Sequence, residues 1–174
     1  MGFSPKADVQ FHGFCDASEQ AYAPALYIRL EYMQKIQIHL VSSITKVAPI
    51  KTLSIPRLEL CEALLLAELI DAIPPKLDIS NYSIKCWNDS TIALSWLARP
   101  PSTWNTFVTN RISTISQIID PKHWSHVGSE DNDLASRGVY PKELAVNSLW
   151  WNGPSWLKEP LDTWESLSLS NLDT

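Results

Sequence analysis

Along the first third of the chain, apolar positions recur every second residue or in short runs, the spacing of strands. Three such stretches stand out: "DVQFHGFCD" (8–16), "YAPALYIRLE" (22–31) and "IQIHLVSSITKV" (36–47). The link "EYMQK" is short enough for a hairpin, so the three strands are expected to form an antiparallel meander. The pattern then changes. "APIKTLSIPRLEL" leads through Pro56 into apolar residues at helical spacing, which predicts a helix from Arg57 to Ala72 stopped by Pro74 and Pro75. A fourth strand is expected at "YSIKCWND" (82–89), then a short helix over "STIALSWLA" closed by Pro100 and Pro101. A longer helix follows from Trp104 to Ile119, with Ile112, Ile115 and Ile119 at helical spacing. "HWSHVGS" (123–129) reads as a last strand and "DNDLASRG" as a helical turn closed by Gly138. Three strands followed by alternating helix and strand define an α/β chain, a mixed five-stranded sheet with three antiparallel strands, then parallel ones, and helices packed on it.

Acids sit at telling places in this pattern. Asp16 ends the first strand and Asp89 the fourth, and strand ends along one edge of an α/β sheet are where sites are built. At 3.6 residues per turn, Glu59 shares a helix face with Ala63, Leu66 and Ile70, the stripe that should meet the sheet, whereas Glu68 falls opposite. A carboxylate on that stripe is costly unless it is hydrogen-bonded, paired or bound to a metal. Each acid also has a purely structural reading. Asp16 suits a turn, and Glu59 suits the positive end of the helix dipole or a pair with Lys51 or Arg57. Asp89 suits an N-cap, and Asp133 suits an ion pair with Arg137 four positions on. Taken together, these readings require four unrelated acids to reach one edge by coincidence.

Composition narrows the class. The 174 residues, 45% hydrophobic and 19% charged, are enough for one core and are unlike a disordered or collagen-like chain. One domain is expected over residues 1–159, including a tryptophan-rich C-terminal part, with a polar, flexible tail over 160–174. Cys15, Cys61 and Cys86 are odd in number and widely separated, with no C-x-x-C pair for zinc, which points to reduced thiols inside a cell. The start "MGFSPKADVQ" has no apolar signal region, and the longest apolar run, "LELCEALLLAELIDAI", carries four acids. No membrane partner is expected, and the location implied is cytoplasmic or nuclear rather than secreted. A net charge of -5 argues against binding nucleic acid through a basic surface alone, so such a partner would need local basic residues or bound cations.

The ordered series "FCDAS", "IPRLEL", "WNDSTIAL" and "HVGSEDNDLASRG" resembles the four acidic motifs of the ribonuclease H domain in reverse-transcribing elements. The match is closer to the Pao/BEL group of retrotransposon polyproteins, with "LWWNGPSWL" (149–157) resembling the segment that follows the last motif. The resemblance spans Gln10 to Leu157 and implies an RNase H-like fold. It implies catalytic and metal-binding roles for Asp16, Glu59, Asp89 and Asp133, holding two Mg²⁺ ions roughly 4 Å apart, with Mn²⁺ able to substitute. The activity implied is endonucleolytic hydrolysis of RNA in an RNA/DNA hybrid, recognised through 2′-hydroxyl and phosphate contacts. A reverse transcriptase domain on the N-terminal side and an integrase on the C-terminal side are the implied polyprotein partners.

The chain departs from that pattern in two ways. His126 falls too early for the mobile histidine of many relatives, and His12, His39, His123 and His126 are expected in structural or surface positions. A basic substrate-gripping helix is also missing, the helix from Trp104 carrying Arg111 alone. Three other classes compete. A catalytically silent RNase H-like module for nucleic-acid binding or interaction would show a damaged acid set, whereas all four acids are present. An aspartic protease needs D-T-G or D-S-G, and "CDAS" lacks that glycine in a chain with only five. A tryptophan-rich module could stack bases on Trp150, Trp151 and Trp156, but packing of these rings back on the core is the expectation.

Overall fold

The computed structural model describes residues 6–15, 17–18, 21–51, 53–129 and 141–164, with the Asp162 side chain excepted. A five-stranded sheet forms its centre. Strands β1 (Asp8–Cys15), β3 (Ala25–Tyr32), β4 (Lys35–Ser43), β6 (Ser83–Asn88) and β7 (Trp124–His126) lie in the order β4-β3-β1-β6-β7. The first three pair antiparallel, and β6 and β7 run parallel to β1, so the sheet is mixed as expected. The β3–β4 hairpin turns on Met33 and Gln34, both with positive φ (48° and 62°), a backbone that follows the strand twist but that side chains other than glycine or asparagine resist. Two strands too short to show periodicity, β2 (Ala21–Tyr22) and β5 (Lys46–Val47), pair in a separate small sheet. The third predicted strand therefore divides in two.

Helix α1 (Ile55–Ala72) starts two residues earlier than expected, with Pro56 in its first turn where no N–H is missed. Helices α2 (Thr91–Ala98) and α3 (Thr106–Ile118) follow β6. Ile112, Ile115 and Ile119 are all buried against Leu66, Ile70, Leu94 and Trp124 in one core between these helices and the sheet. Helix α1 packs tightly on β1 at Gly13, where an added Cβ would lie 2.6 Å from Leu66 Cδ1. Any larger residue there would force the Leu66 side chain to shift.

The opposite face of the sheet carries a second core of Phe14, Tyr27, Ile38 and Trp87. After α4 (Pro141–Val146), the C-terminal segment covers it from Leu149 on, through α5 (Ser148–Asn152) and two 3₁₀ turns. Trp156 meets Trp87 edge-on at 4.7 Å, and Trp150 packs beside it, so these rings lie on the core as expected. Trp151 stays half exposed, its indole N–H donated to the Leu144 carbonyl. Arg29, fully buried, donates from Nε to the Leu157 carbonyl at 2.9 Å and from Nη2 to the Glu159 carbonyl. Packing continues past Pro160, where the sequence reads as the start of a loose tail. Trp164 sits 5.8 Å from Trp87 and 5.4 Å from Trp156.

Candidate active site

Strands β1 and β6 run in the same direction and end together at the Cys15–Asn88 pair. Asp89 is the next residue after Asn88 and lies half-buried at that edge. Its assignment as a helix N-cap does not hold. Ser90 caps α2, its hydroxyl oxygen accepting the Ala93 N–H at 3.1 Å, while its own backbone N–H is donated to Asn88 Oδ1 at 2.7 Å. The cap moves one residue because the chain leaves the strand through an Asn88 turn. Asp89 forms no ion pair or hydrogen bond with any described residue.

Glu59 stands on the second turn of α1 and faces this edge. Burial raises its carboxyl above the usual range, the Ser90 side chain acts on it as a hydrogen-bond donor and lowers it, and the Asp89 charge raises it again. Neither Lys51 nor Arg57 pairs with it. The Arg57 guanidinium lies 5.1 Å from the Phe107 ring, turned toward α3. Ala63, Leu66 and Ile70 are buried below Glu59, as the helical spacing predicts.

The structure thus leaves Glu59 and Asp89 within electrostatic reach of each other. Asp16 and Asp133, and the helical turn expected over 131–138, lie outside the described residues. Among the described residues no group of three or more His, Cys, Asp or Glu side chains is arranged to hold a metal ion. The two carboxylates that are described fit a hard divalent cation in chemistry. They supply oxygen donors only, act on each other as like charges, and have no described cation to neutralise them.

Two features were not singled out in the sequence. The Ser90 cap is hidden in the sequence by Asp89 beside it, which is also a good cap by type. Glu62, one turn beyond Glu59, is fully buried, and its Oε1 accepts the Ala23 N–H at 3.1 Å. Its charge acts on the buried Cys15 thiol, which burial pushes well above its usual range and which Glu62, Cys86, Asp89 and Glu59 push further. The only sequence signal was a charged residue inside the apolar run "LCEALLL".

The histidines take structural roles or lie aside. His12 is buried on the second face, where its Nδ1 accepts the Trp87 indole N–H at 3.1 Å. That fixes the proton on Nε2, which donates to Gln10 Oε1 at 3.2 Å. Burial, with the Arg29 and Lys85 charges, pushes its pKa down to about 3. His126 ends β7 opposite Asn88, His39 is exposed on β4, and His123 is half-buried before β7. Cys15, Cys61 and Cys86 are free thiols. No helix among the described residues is long and apolar enough to cross a membrane.

A mixed sheet ordered β4-β3-β1-β6-β7, with α1, α2 and α3 packed on one face, the C-terminal segment on the other, and Asp89 at the end of the parallel strands acting on Glu59 of α1, defines an α/β protein of RNase H-like architecture. The sequence model of the family described as Pao retrotransposon-like RNaseH-like domain matches residues 2–90, and the chain belongs to that family. Two solved structures are similar at low identity. One is RNase H1 from the halophilic archaeon Halobacterium salinarum NRC-1, at 12% identity and a TM-score of 0.45, covering 79% of this chain and 97% of that one. The other is LC9-RNase H1, a type 1 RNase H with the type 2 active-site motif, at 10% identity and a TM-score of 0.48, covering 97% of this chain and 95% of that one. No curated protein matches the chain.

Proposed function

We propose that this chain is a metal-dependent RNA/DNA-hybrid endonuclease, the ribonuclease H part of a retrotransposon reverse transcriptase polyprotein. The observation that carries the reading is the Glu59–Asp89 pair, a carboxylate on α1 and one at the end of the parallel strands, within electrostatic reach of each other and without a described cation as partner. Such a pair raises the free energy of the metal-free fold and is relieved by a divalent ion.

In this reading Glu59, Asp89, Asp16 and Asp133 hold two Mg²⁺ ions, with Mn²⁺ as a substitute. When bound, the ions supply an activated water and countercharge for the leaving oxygen of an in-line displacement. The chain's own part is to place the donors. Gly13 lets α1 lie close on β1, which sets the height of Glu59. Ser90 holds the start of α2 and favours the ionised Glu59 carboxylate, the form that can ligate a metal. Asp16 follows Cys15 in the chain as Asp89 follows Asn88, and Cys15 and Asn88 are strand partners. Connectivity is the support for adding Asp16 to the pair as a further oxygen ligand. The substrate is recognised by its 2′-hydroxyls and phosphates, with a reverse transcriptase domain before and an integrase after it in the parent polyprotein.

The test is incubation of the purified chain with an RNA/DNA hybrid labelled on either strand. Cleavage inside the RNA strand is expected with Mg²⁺ or Mn²⁺ and its loss is expected with chelator. An intact hybrid in Mg²⁺ would leave the silent-module reading, and equal cleavage in chelator would remove the metal mechanism.

A further inference from the structure

Helix α3 has Arg111 as its one basic residue, and the fold sets a second cation from another helix beside it. Arg57, in the first turn of α1, points its guanidinium at the ring that Arg111 covers. The guanidinium carbon of Arg111 lies 3.6 Å from the centre of the Phe107 ring, and that of Arg57 lies 5.1 Å from it. Arg111 is held by its own helix, Nη1 donating to the Phe107 carbonyl at 3.1 Å, while its buried Nε meets no acceptor among the described residues. Neither guanidinium forms an ion pair with a described carboxylate. All three side chains are half-buried, so the ring and its two cations reach the surface between α1 and α3. Like charges gathered round one ring repel, and stacking at a partly exposed site offsets little of that. Two planar forks with donors left over suit an anion with several acceptor oxygens.

The neighbours add to the same surface. Burial raises the pKa of the Tyr22 hydroxyl on β2, and the Arg111 charge acts against it, which places Arg111 beside β2. Tyr22 is the strand partner of Lys46 on β5, and directly opposed residues of an antiparallel pair share a face, so exposed Lys46 brings a third cation. Of the acids acting on the same hydroxyl, Glu62 is buried against the Ala23 N–H, and Glu68 is exposed on α1 without an ion pair to either arginine. Arg57 precedes Glu59 by two residues, roughly 200° round the helix. The N-terminal turns of α1 therefore face Asp89 with a carboxylate and α3 with a cation.

We propose that Arg57 and Arg111, arranged round Phe107, form a phosphate clamp that grips the sugar-phosphate backbone of the hybrid beside the candidate carboxylates. This rests on the hybrid-nuclease reading and names residues that hold its substrate. A net charge of -5 makes a local cluster of this kind necessary, because the surface as a whole repels a polyanion. Phe107 orders both guanidiniums beforehand, so less rotamer freedom is lost when the backbone binds. Contacts to phosphate position the duplex without reading its sequence.

The test reads binding apart from cleavage. A labelled RNA/DNA hybrid is titrated with the chain in Ca²⁺ at several salt concentrations, for wild type, Arg57→Gln, Arg111→Gln and the double variant, each below its melting temperature. Each single variant should bind about tenfold more weakly and lower the slope of log affinity against log salt by about 1, and the double variant should lower it by about 2. Arg111→Lys keeps the charge and should keep the slope while losing part of the affinity. In the wild type alone, the Nε–H NMR signals of Arg57 and Arg111 should shift as hybrid is added. Unchanged affinity and salt slope in the folded double variant would overturn the proposal. So would wild-type Nε–H signals that do not respond to hybrid, a measurement that needs no variant to fold. The nuclease reading fails separately. A wild type that binds hybrid through both arginines and leaves it intact in Mg²⁺ keeps the clamp and loses the chemistry, whereas one that binds no hybrid in Ca²⁺ loses the clamp.

Discussion

Asp89, the first residue beyond β6, raises the carboxyl pKa of Glu59 on α1. The two acids come from elements separated by a 3₁₀ turn and a strand, and their mutual repulsion is the electrostatic signature of the candidate site. Burial of Glu59 acts in the same direction, and the Ser90 side chain opposes both.

The sign of that shift makes Glu59 testable by pH. A carboxyl whose folded pKa is raised binds protons more tightly in the folded state than in the unfolded one, so stability is lost as pH rises from the usual carboxylate range through the raised value. Glu59→Gln removes this loss. In chelator the variant should melt above wild type at neutral pH, and the difference should vanish in acid. It should also gain less from Mg²⁺ and cleave no hybrid. Melts across pH, with and without Mg²⁺, check the prediction, and a less stable metal-free variant would place Glu59 in the scaffold.

Asp89 and Ser90 should separate cleanly. Because Ser90 holds the α2 cap, Asp89→Asn leaves the cap in place, and the metal-free melting temperature should not fall, while hybrid cleavage drops by orders of magnitude. Ser90→Ala should cost about 1 kcal/mol of stability through the lost cap. It should also move the Glu59 carboxyl further up, since the group that favours its ionised form is gone. Urea unfolding and carboxyl titration by NMR are the measurements.

Gly13→Ala should destabilise by about 1 to 3 kcal/mol, the usual cost of overpacking. Its Cβ would fall 2.6 and 2.7 Å from the two methyls of Leu66, a fully buried residue with little room to withdraw. Leu66→Val in the same chain should recover part of the loss. Unfolding of the two single variants and the pair checks whether the effects are coupled.

His12 predicts an acid limit on the fold. Its pKa falls from 6.5 to about 3 on folding, so the unfolded chain takes up a proton first and stability should decline as pH falls through that window. Protonation would also set an Nδ1–H against the Trp87 N–H. His12→Asn should be less stable at neutral pH and show a shallower decline in acid. Denaturant midpoints measured across pH 3 to 7 (roughly the window in which histidine titrates) decide this.

Local pattern determined a good deal of this protein. Alternation in β1, β3 and β4, the helical stripe of Ala63, Leu66 and Ile70, and the prolines that start and stop α1 are properties of neighbours in sequence, and their elements appear where that pattern puts them. The place of Glu59 on the inward face of α1 was legible for the same reason. The tertiary structure alone decided what depends on distant partners. Glu62 is buried because Ala23, 39 residues away, turns its N–H toward it. The second face of the sheet is closed because Arg29 reaches Leu157 across 128 residues, drawing Trp156 and Trp164 over Trp87. The two-residue strands β2 and β5 are too short to carry a period and are defined by their pairing with each other. Even the cap of α2 was a tertiary matter. Asp89 and Ser90 are equally good caps by type, and only the fixed end of β6, with Asn88 holding the Ser90 N–H, left Asp89 facing Glu59.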